Sequence, residues 1–292
     1  MEKKGPIRYK HTVNSGDLVA NMAAMRHVAI QSGRKAIIYQ QLGVEAIYYP
    51  GATHPVLNAD GKMVTMNQKQ FDLMRPLIMA QPWVEDFLVF EGQEVDVDLG
   101  KMRGEMFLNI PYMSIQLWPS LVWPDMCPDL TQSWIEVPDT YSIAKEIQIN
   151  AYMSAGDSVF EQHQSMHGKV IINFTDRYRN SNIHYFWLKD YQEHLVFAGT
   201  AEEHQRFCDR WKINMPYLHV DNFLELAQAL KVCKFFMGNQ SMCWGIADAI
   251  KIPRILEYCT FVPNCTWGLG PNSYGYLYQQ NAEYYFKTLL KS

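Results

Sequence analysis

The chain has 292 residues, a formal charge of −4, 48% hydrophobic and 19% charged residues, 17 Gly and 14 Pro. Such a chain builds a core, which excludes disordered, collagen-like and coiled-coil architectures, and its mild acidity leaves only a local basic groove for a nucleic-acid backbone. No run reaches the roughly 18–20 apolar residues of a membrane span, residues 1–6 show no apolar leader, and the six cysteines form no C-x-x-C pair, so a reducing cytoplasm is the expected setting.

Residues 7–13 alternate as a strand, and the polar turn 14–17 follows. Leu18, Met22, Met25 and Ala29 then recur near a 3.6 period and predict a helix over 18–31. Residues 35–40 predict a second strand, 71–79 a helix, and 87–90 and 95–99 short strands, so the chain begins β-α-β with a parallel sheet. Pro111, Pro119, Pro124, Pro128 and Pro138 among Trp118, Trp123 and Trp134 forbid a long helix or central strand over 110–140 and predict an aromatic insert.

After a linker at 156–168 the alternation becomes regular. Strands are predicted at 169–174, 194–198, 218–220, 234–237 and 254–257. Helices are predicted at 202–211, 222–231 with Asp221 as cap, 242–250 and 275–291. The expected organisation is two Rossmann-like α/β domains facing across a cleft, 1–160 and 161–274, with a last helix over 275–292 crossing back to the first. The polar turns at 14–17, 175–182, 199–203 and 238–241 all follow strands, where open α/β sheets bind ligands.

Ser15-Gly16-Asp17 after the first strand, Val97-Asp98-Leu99, the segment Asn173 to Arg179 and the run Gly238 to Pro253 resemble short motifs of glycosyltransferase family 9, the ADP-heptose:lipopolysaccharide heptosyltransferases. The resemblance covers most of the chain. It implies a GT-B fold and a metal-independent, inverting glycosyltransferase, with the acceptor on the first domain, beside Ser15 and Gly16, and a nucleotide-sugar on the second. No cofactor or metal is expected. In place of the family's Asp-Ser/Thr-Gly run and following His stand Gln240, Ser241 and Met242, with Gly245 at the His position, so different phosphate contacts are implied.

Each candidate carries two readings. Asp17 is either the base that deprotonates the acceptor, as the resemblance implies, or the cap of its helix. Gly238, Asn239, Gln240 and Ser241 either hold the donor's phosphates at a helix start or simply form a capped turn. Arg177 and Arg179, helped by the Thr175 hydroxyl, suit diphosphate oxygens as guanidinium forks; alternatively they are solvated surface charges. Glu203 beyond Gly199 matches a family acid on the donor ribose, or is a first-turn acid favoured by the helix dipole. Glu257 is a further candidate for that pocket. Trp118 and Trp123 form either an acceptor platform or core.

Three signals are set aside. Asp96-Val97-Asp98 spells a metal-binding D-x-D but sits in a short strand. His163 and His167 lack a third zinc ligand. Gly268-Leu-Gly270 is not the dinucleotide fingerprint. The acceptor is open among a glycan, a lipid-linked sugar and a hydroxymethylated pyrimidine of phage DNA, whose flipped base would stack in the aromatic insert. A non-catalytic nucleotide- or sugar-binding protein of the same fold is the reading from another class.

Overall fold

The computed structural model describes residues 5–46, 56–102, 114–138, 147–152, 159–164, 168–259 and 268–292. It forms two compact units, the first mainly from residues 1–136 and the second mainly from 137–292.

The first unit holds a four-stranded sheet of β1 (Ile7–His11), β2 (Ala36–Gln40), β3 (Val84–Val89) and β4 (Val97–Asp98), in the order β3-β2-β1-β4 and parallel throughout. Helix α1 (Ser15–Ser32) follows β1, and α2 (Gln68–Met79) lies between β2 and β3. Gly33 ends α1 at φ 64°, the left-handed conformation that costs glycine least. Leu18, Val19, Met22, Ala23, Ala24 and Met25 are all buried, so α1 is covered all round rather than along one stripe. Part of that cover is the proline-rich insert, whose short helix α3 (Trp118–Val122) and flanking 3-10 turns pack on α1. Trp134 in the insert is 2% exposed and donates its indole N–H to the Val19 carbonyl at 2.9 Å. Trp118 and Trp123, the expected acceptor platform, are half-buried on the same segment.

The second unit is built on an eight-stranded sheet. Its strands are β5 (Ile147–Tyr152), β6 (Val159–Gln164), β7 (Val170–Asn173), β8 (Leu195–Ala198), β9 (Tyr217–Leu218), β10 (Phe235–Asn239), β11 (Arg254–Glu257) and β12 (Ser273–Tyr276). The order is β12-β11-β10-β7-β8-β9-β5-β6. The six strands from β12 to β9 are parallel and have the doubly wound order 3-2-1-4-5-6, counted from β7. Helices α4 (Ala201–Trp211), α5 (Phe223–Val232), α6 (Met242–Ala249) and α7 (Gln279–Lys291) complete the unit. Every residue of β7, β8, β10 and β11 is buried, as a sheet covered on both faces requires.

Several expectations are corrected. The boundary falls near residue 136 instead of 160, because the antiparallel pair β5–β6 extends the second sheet through the stretch read as a linker. The parts of that stretch at 156–158 and 165–167, with His167, lie outside the described residues. Residues 273–276, partly assigned to the last helix, form strand β12. The helix itself, expected to cross to the first domain, buries Ala282, Phe286 and Leu289 in the second unit's core, where Phe286 meets Phe235 and Trp187 edge-on. Asn222 rather than Asp221 caps α5, its Oδ1 accepting the Leu224 N–H at 3.0 Å. Among the described residues no helix is long and apolar enough to cross a membrane.

Candidate functional site

In the second sheet the strand order reverses between β7 and β10, and the crevice beyond their C-terminal ends is where this architecture takes ligands. Gly238 pairs there with Asn173, so closely that a Cβ on Gly238 would stand 2.4 Å from the Asn173 carbonyl oxygen. Asn173 is buried and donates its amide to the Ala198 carbonyl at 2.6 Å, while its Oδ1 accepts the Ser241 hydroxyl at 2.6 Å. Ser241 caps α6 by accepting the Trp244 N–H at 3.3 Å. One serine therefore links the two turns at the switch point.

The side chains of Asn239 and Gln240, expected on the donor's phosphates, are instead consumed by the protein. Asn239 is fully buried; its Oδ1 accepts the Thr175 N–H at 3.0 Å, and its amide donates to the carbonyls of Thr175, at 3.0 Å, and Arg177. Gln240, 5% exposed, accepts the Cys259 N–H at 3.3 Å. Thr175 donates its hydroxyl to the Arg177 carbonyl at 3.2 Å, so it too helps to fold the turn. These bonds shape the loop carrying Arg177 and Arg179, with Tyr178 at φ 55°.

Glu203 is the third residue of α4. Its carboxylate accepts the Thr200 N–H at 3.1 Å while the Thr200 hydroxyl accepts the Glu203 N–H at 3.2 Å, a reciprocal capping box. Gly199 makes the approach possible: at φ 154° it lacks the Cβ that would lie 2.9 Å from Asn173 Nδ2 and 3.0 Å from Glu203 Oε2. Burial pushes the Glu203 carboxyl above the usual carboxylate range, against the opposing pull of the Thr200 N–H, Arg177 and Arg206; Asp176 adds to the rise. Arg177 is thus within electrostatic reach of Glu203, and Arg206 pairs with Asp176 at 2.7 Å on the exposed rim.

Arg179 takes a different course. Its Nε donates to Glu257 Oε1 at 3.1 Å, and its guanidinium lies 4.9 Å from the Phe174 ring centroid and 5.4 Å from that of Tyr185. Glu257 ends β11 beside Asn239, is completely buried, and also accepts the Asn180 N–H and the Tyr185 hydroxyl. Burial alone would lower the Arg179 pKa, but the Glu257 charge and hydrogen bond prevail and raise it above the ordinary value. Glu257, read as a pocket acid, is therefore a buried counter-ion.

In the first unit the order reverses between β1 and β4. Asn14 precedes α1 and Asp17 is its third residue; the Asp17 carboxylate accepts the Asn14 N–H at 3.2 Å and the residue is 8% exposed. The alternative reading of Asp17 is thus corrected from cap to capping-box acid. Ser15 and Gly16 form the first turn with it. Asp98 holds Lys10 at 3.3 Å and the Gly100 N–H at 3.0 Å, and Asp96 accepts the Arg8 N–H at 2.8 Å, so the D-x-D is engaged with its own sheet.

Sequence reasoning missed the group beneath this turn. His11 is fully buried, with Nδ1 2.8 Å from Gln40 Oε1 and Nε2 3.3 Å from the Asn21 amide nitrogen. A proton on Nδ1 satisfies both contacts. The signal was the two-residue period of β1, which puts His11 on the buried face of Ile7 and Tyr9.

No family model matches the chain, and no curated protein matches its sequence. Solved structures do match in fold. A family 9 glycosyl transferase from Veillonella parvula superposes with TM-score 0.61 at 12% identity, over 100% of this chain and 99% of that one. The ADP-heptose lipopolysaccharide heptosyltransferase II of E. coli gives TM-score 0.56 at 12% identity, over 98% of both chains. E. coli heptosyltransferase WaaC, solved with ADP, gives 0.50 at 11%, over 98% of this chain and 99% of that one. The resemblance to these glycosyltransferases is thereby borne out at the level of the fold, which is GT-B with two Rossmann-like halves.

Proposed function

We propose that the protein is a metal-independent, inverting glycosyltransferase that moves a sugar from a nucleotide-sugar to an acceptor hydroxyl. The observation that carries this reading is the β7–β10 switch point, where the Thr175 to Asn180 turn bearing two arginines meets the capped start of α6. There the donor's diphosphate lies against the guanidinium groups of Arg177 and Arg179, and Ser241 and the small residues Gly199 and Gly238 line its approach. Glu203 takes the ribose hydroxyls. Asn239, Gln240 and Thr175 act by shaping the turn.

The acceptor oxygen attacks the anomeric carbon from the face opposite the diphosphate. A new C–O bond forms as the bond to the β-phosphate oxygen breaks, and the nucleoside diphosphate leaves with the bonding pair. Two arginines supply the charge that stabilises this leaving group. Asp17 in the first unit accepts the acceptor's proton, which makes the oxygen nucleophilic as it attacks. A cytoplasmic setting and a glycan or lipid-linked sugar as acceptor belong to the same reading.

The test pairs a nucleotide-sugar panel with Asp17→Asn. The substituted amide keeps an oxygen for the Asn14 N–H, so the helix start survives, but it cannot take a proton. Turnover should fall about 100- to 10,000-fold with donor affinity unchanged. Asp17→Ala should also lose about 1 kcal/mol of stability with the capping box. Near-normal turnover of Asp17→Asn removes Asp17 from the chemistry, and a wild-type chain that binds no nucleotide removes the donor site.

A further inference from the structure

The second unit contains two buried arginine–carboxylate pairs on one strand, and they use their guanidinium groups in opposite ways. At the start of β11, Arg254 is fully buried; one terminal nitrogen donates to the Ile252 carbonyl at 2.9 Å, and the other to the Leu269 carbonyl at 2.6 Å and to Asp248 at 2.5 Å. That arginine is spent on the fold. At the end of the same strand, Arg179 meets Glu257 through Nε alone. Its two terminal nitrogens make no hydrogen bond or ion pair among the described residues, and 19% of its side chain is exposed. The carboxylate is completely buried and cannot turn away, because the Asn180 N–H and the Tyr185 hydroxyl, itself 2.5 Å from the Tyr276 hydroxyl, hold it. The aromatic rings of Phe174 and Tyr185 fix the guanidinium further.

A pair built for stability alone would present the fork edge-on and use it up, since two parallel N–H···O bonds outdo one. Contact through Nε instead orients the fork and leaves four N–H donors free, a geometry that suits a doubly oxygenated anion. We propose that Glu257 is a positioning residue: it fixes Arg179 so that both terminal nitrogens face the diphosphate of the donor at the β7–β10 switch point. The inference rests on the donor-site reading and adds to it which arginine is preorganised, and by what.

The test is calorimetric titration of the full chain with ADP, UDP and GDP and with the matching nucleosides. Glu257→Gln and Arg179→Lys should each weaken the best-bound diphosphate about ten- to a hundredfold, the worth of charge-assisted hydrogen bonds, and leave nucleoside binding unchanged. The decisive arm is the double variant. If Glu257 acts through Arg179, Glu257→Gln adds no further loss in the Arg179→Lys background. Glu257→Asp, which keeps the charge but withdraws it by one methylene, serves if Glu257→Gln does not fold, with the same expectation. Arg254→Lys, a buried pair lost elsewhere in the unit, should lower the melting temperature without changing diphosphate affinity. Full diphosphate affinity in Glu257→Gln, or an equal loss with and without Arg179, overturns the inference while the donor site stands. A wild-type chain that binds no nucleoside diphosphate overturns both.

Discussion

Replacing Asn239 separates a loop clasp from a ligand for the donor. The side chain is fully buried and serves three backbone groups: the N–H and the carbonyl of Thr175 and the carbonyl of Arg177. Asn239→Ala leaves the Thr175 N–H and carbonyl without a side-chain partner, and the Arg177 carbonyl with the Thr175 hydroxyl alone. A buried polar group stripped of its partner costs about 1–3 kcal/mol, and a single water entering the vacated space would recover part of that. The expected loss is about 2–4 kcal/mol, a large share of the roughly 5–15 kcal/mol that holds a domain folded. Asn239→Asp should cost at least as much at pH 7: one oxygen still accepts the Thr175 N–H, but the other sets a charge against two carbonyl oxygens. That carboxyl would therefore titrate above the ordinary carboxylate range. Its folded form binds the proton more tightly, so the variant should regain stability as pH falls and lose it as pH rises through the raised value. Urea unfolding followed by tryptophan fluorescence at pH 5 and pH 7 measures both effects in the second unit's transition. If Asn239→Ala unfolds within about 0.5 kcal/mol of wild type yet loses its nucleotide, the clasp is wrong and Asn239 is a ligand.

Two further outcomes follow from the same crevice. Gly238→Ala forces a methyl to within 2.4 Å of the Asn173 carbonyl oxygen across the β7–β10 pairing, so the strands must part; a loss of about 3 kcal/mol or more is expected by calorimetry, and an unchanged melting temperature would show that the pairing is looser than described. Glu203, raised by burial, binds its proton more tightly folded than unfolded, so its contribution to stability is full below the ordinary glutamate range and lost as pH rises through its raised value; Glu203→Gln should flatten that slope in a pH series of unfolding midpoints, and an unaltered slope would mean the carboxyl is not desolvated.

The parallel strands were legible because each is a short, nearly unbroken apolar run that no other element explains. Val170, Ile171 and Ile172 in β7 and Leu195, Val196 and Phe197 in β8 are all fully buried, and the strand at 254–257 is found at its expected limits. Helix α1 was recognised by its period but began three residues earlier, at Ser15, since Asn14 caps it from outside. Strand β12 was hidden by its composition: Ser-Tyr-Gly-Tyr has a glycine at its centre and reads as the approach to the next helix. It exists because Leu256 and Glu257 of β11 offer Gly275 and Tyr276 a ladder, which is a long-range fact. Strand β6 is a similar case: it lies within 156–168, the stretch that reads as linker, and pairs with β5 just before it.

The site divides along the same line. Which turns face the ligand end of a sheet follows from strand order, and strand order follows from alternating β and α segments; hence 14–17, 175–182, 199–203 and 238–241 were identifiable as a group. Which side chains in those turns remain available to a ligand depends on partners distant in sequence. Asn239 meets Thr175 across 64 residues, Ser241 meets Asn173 across 68 and Arg179 meets Glu257 across 78. An asparagine offers the same donor and acceptor whether it clasps a loop or binds a phosphate, so local sequence does not separate the two uses. Charge does so better. Glu257 could end a buried strand only if a cation and further donors met it, because an unpaired buried carboxylate would cost far more than the strand gains. A glutamate closing a buried strand therefore already implied a committed cation. The contrast with Arg254, whose terminal nitrogens are all taken, is what the chain alone could not disclose, and it distinguishes a guanidinium that holds the fold from one held out by it.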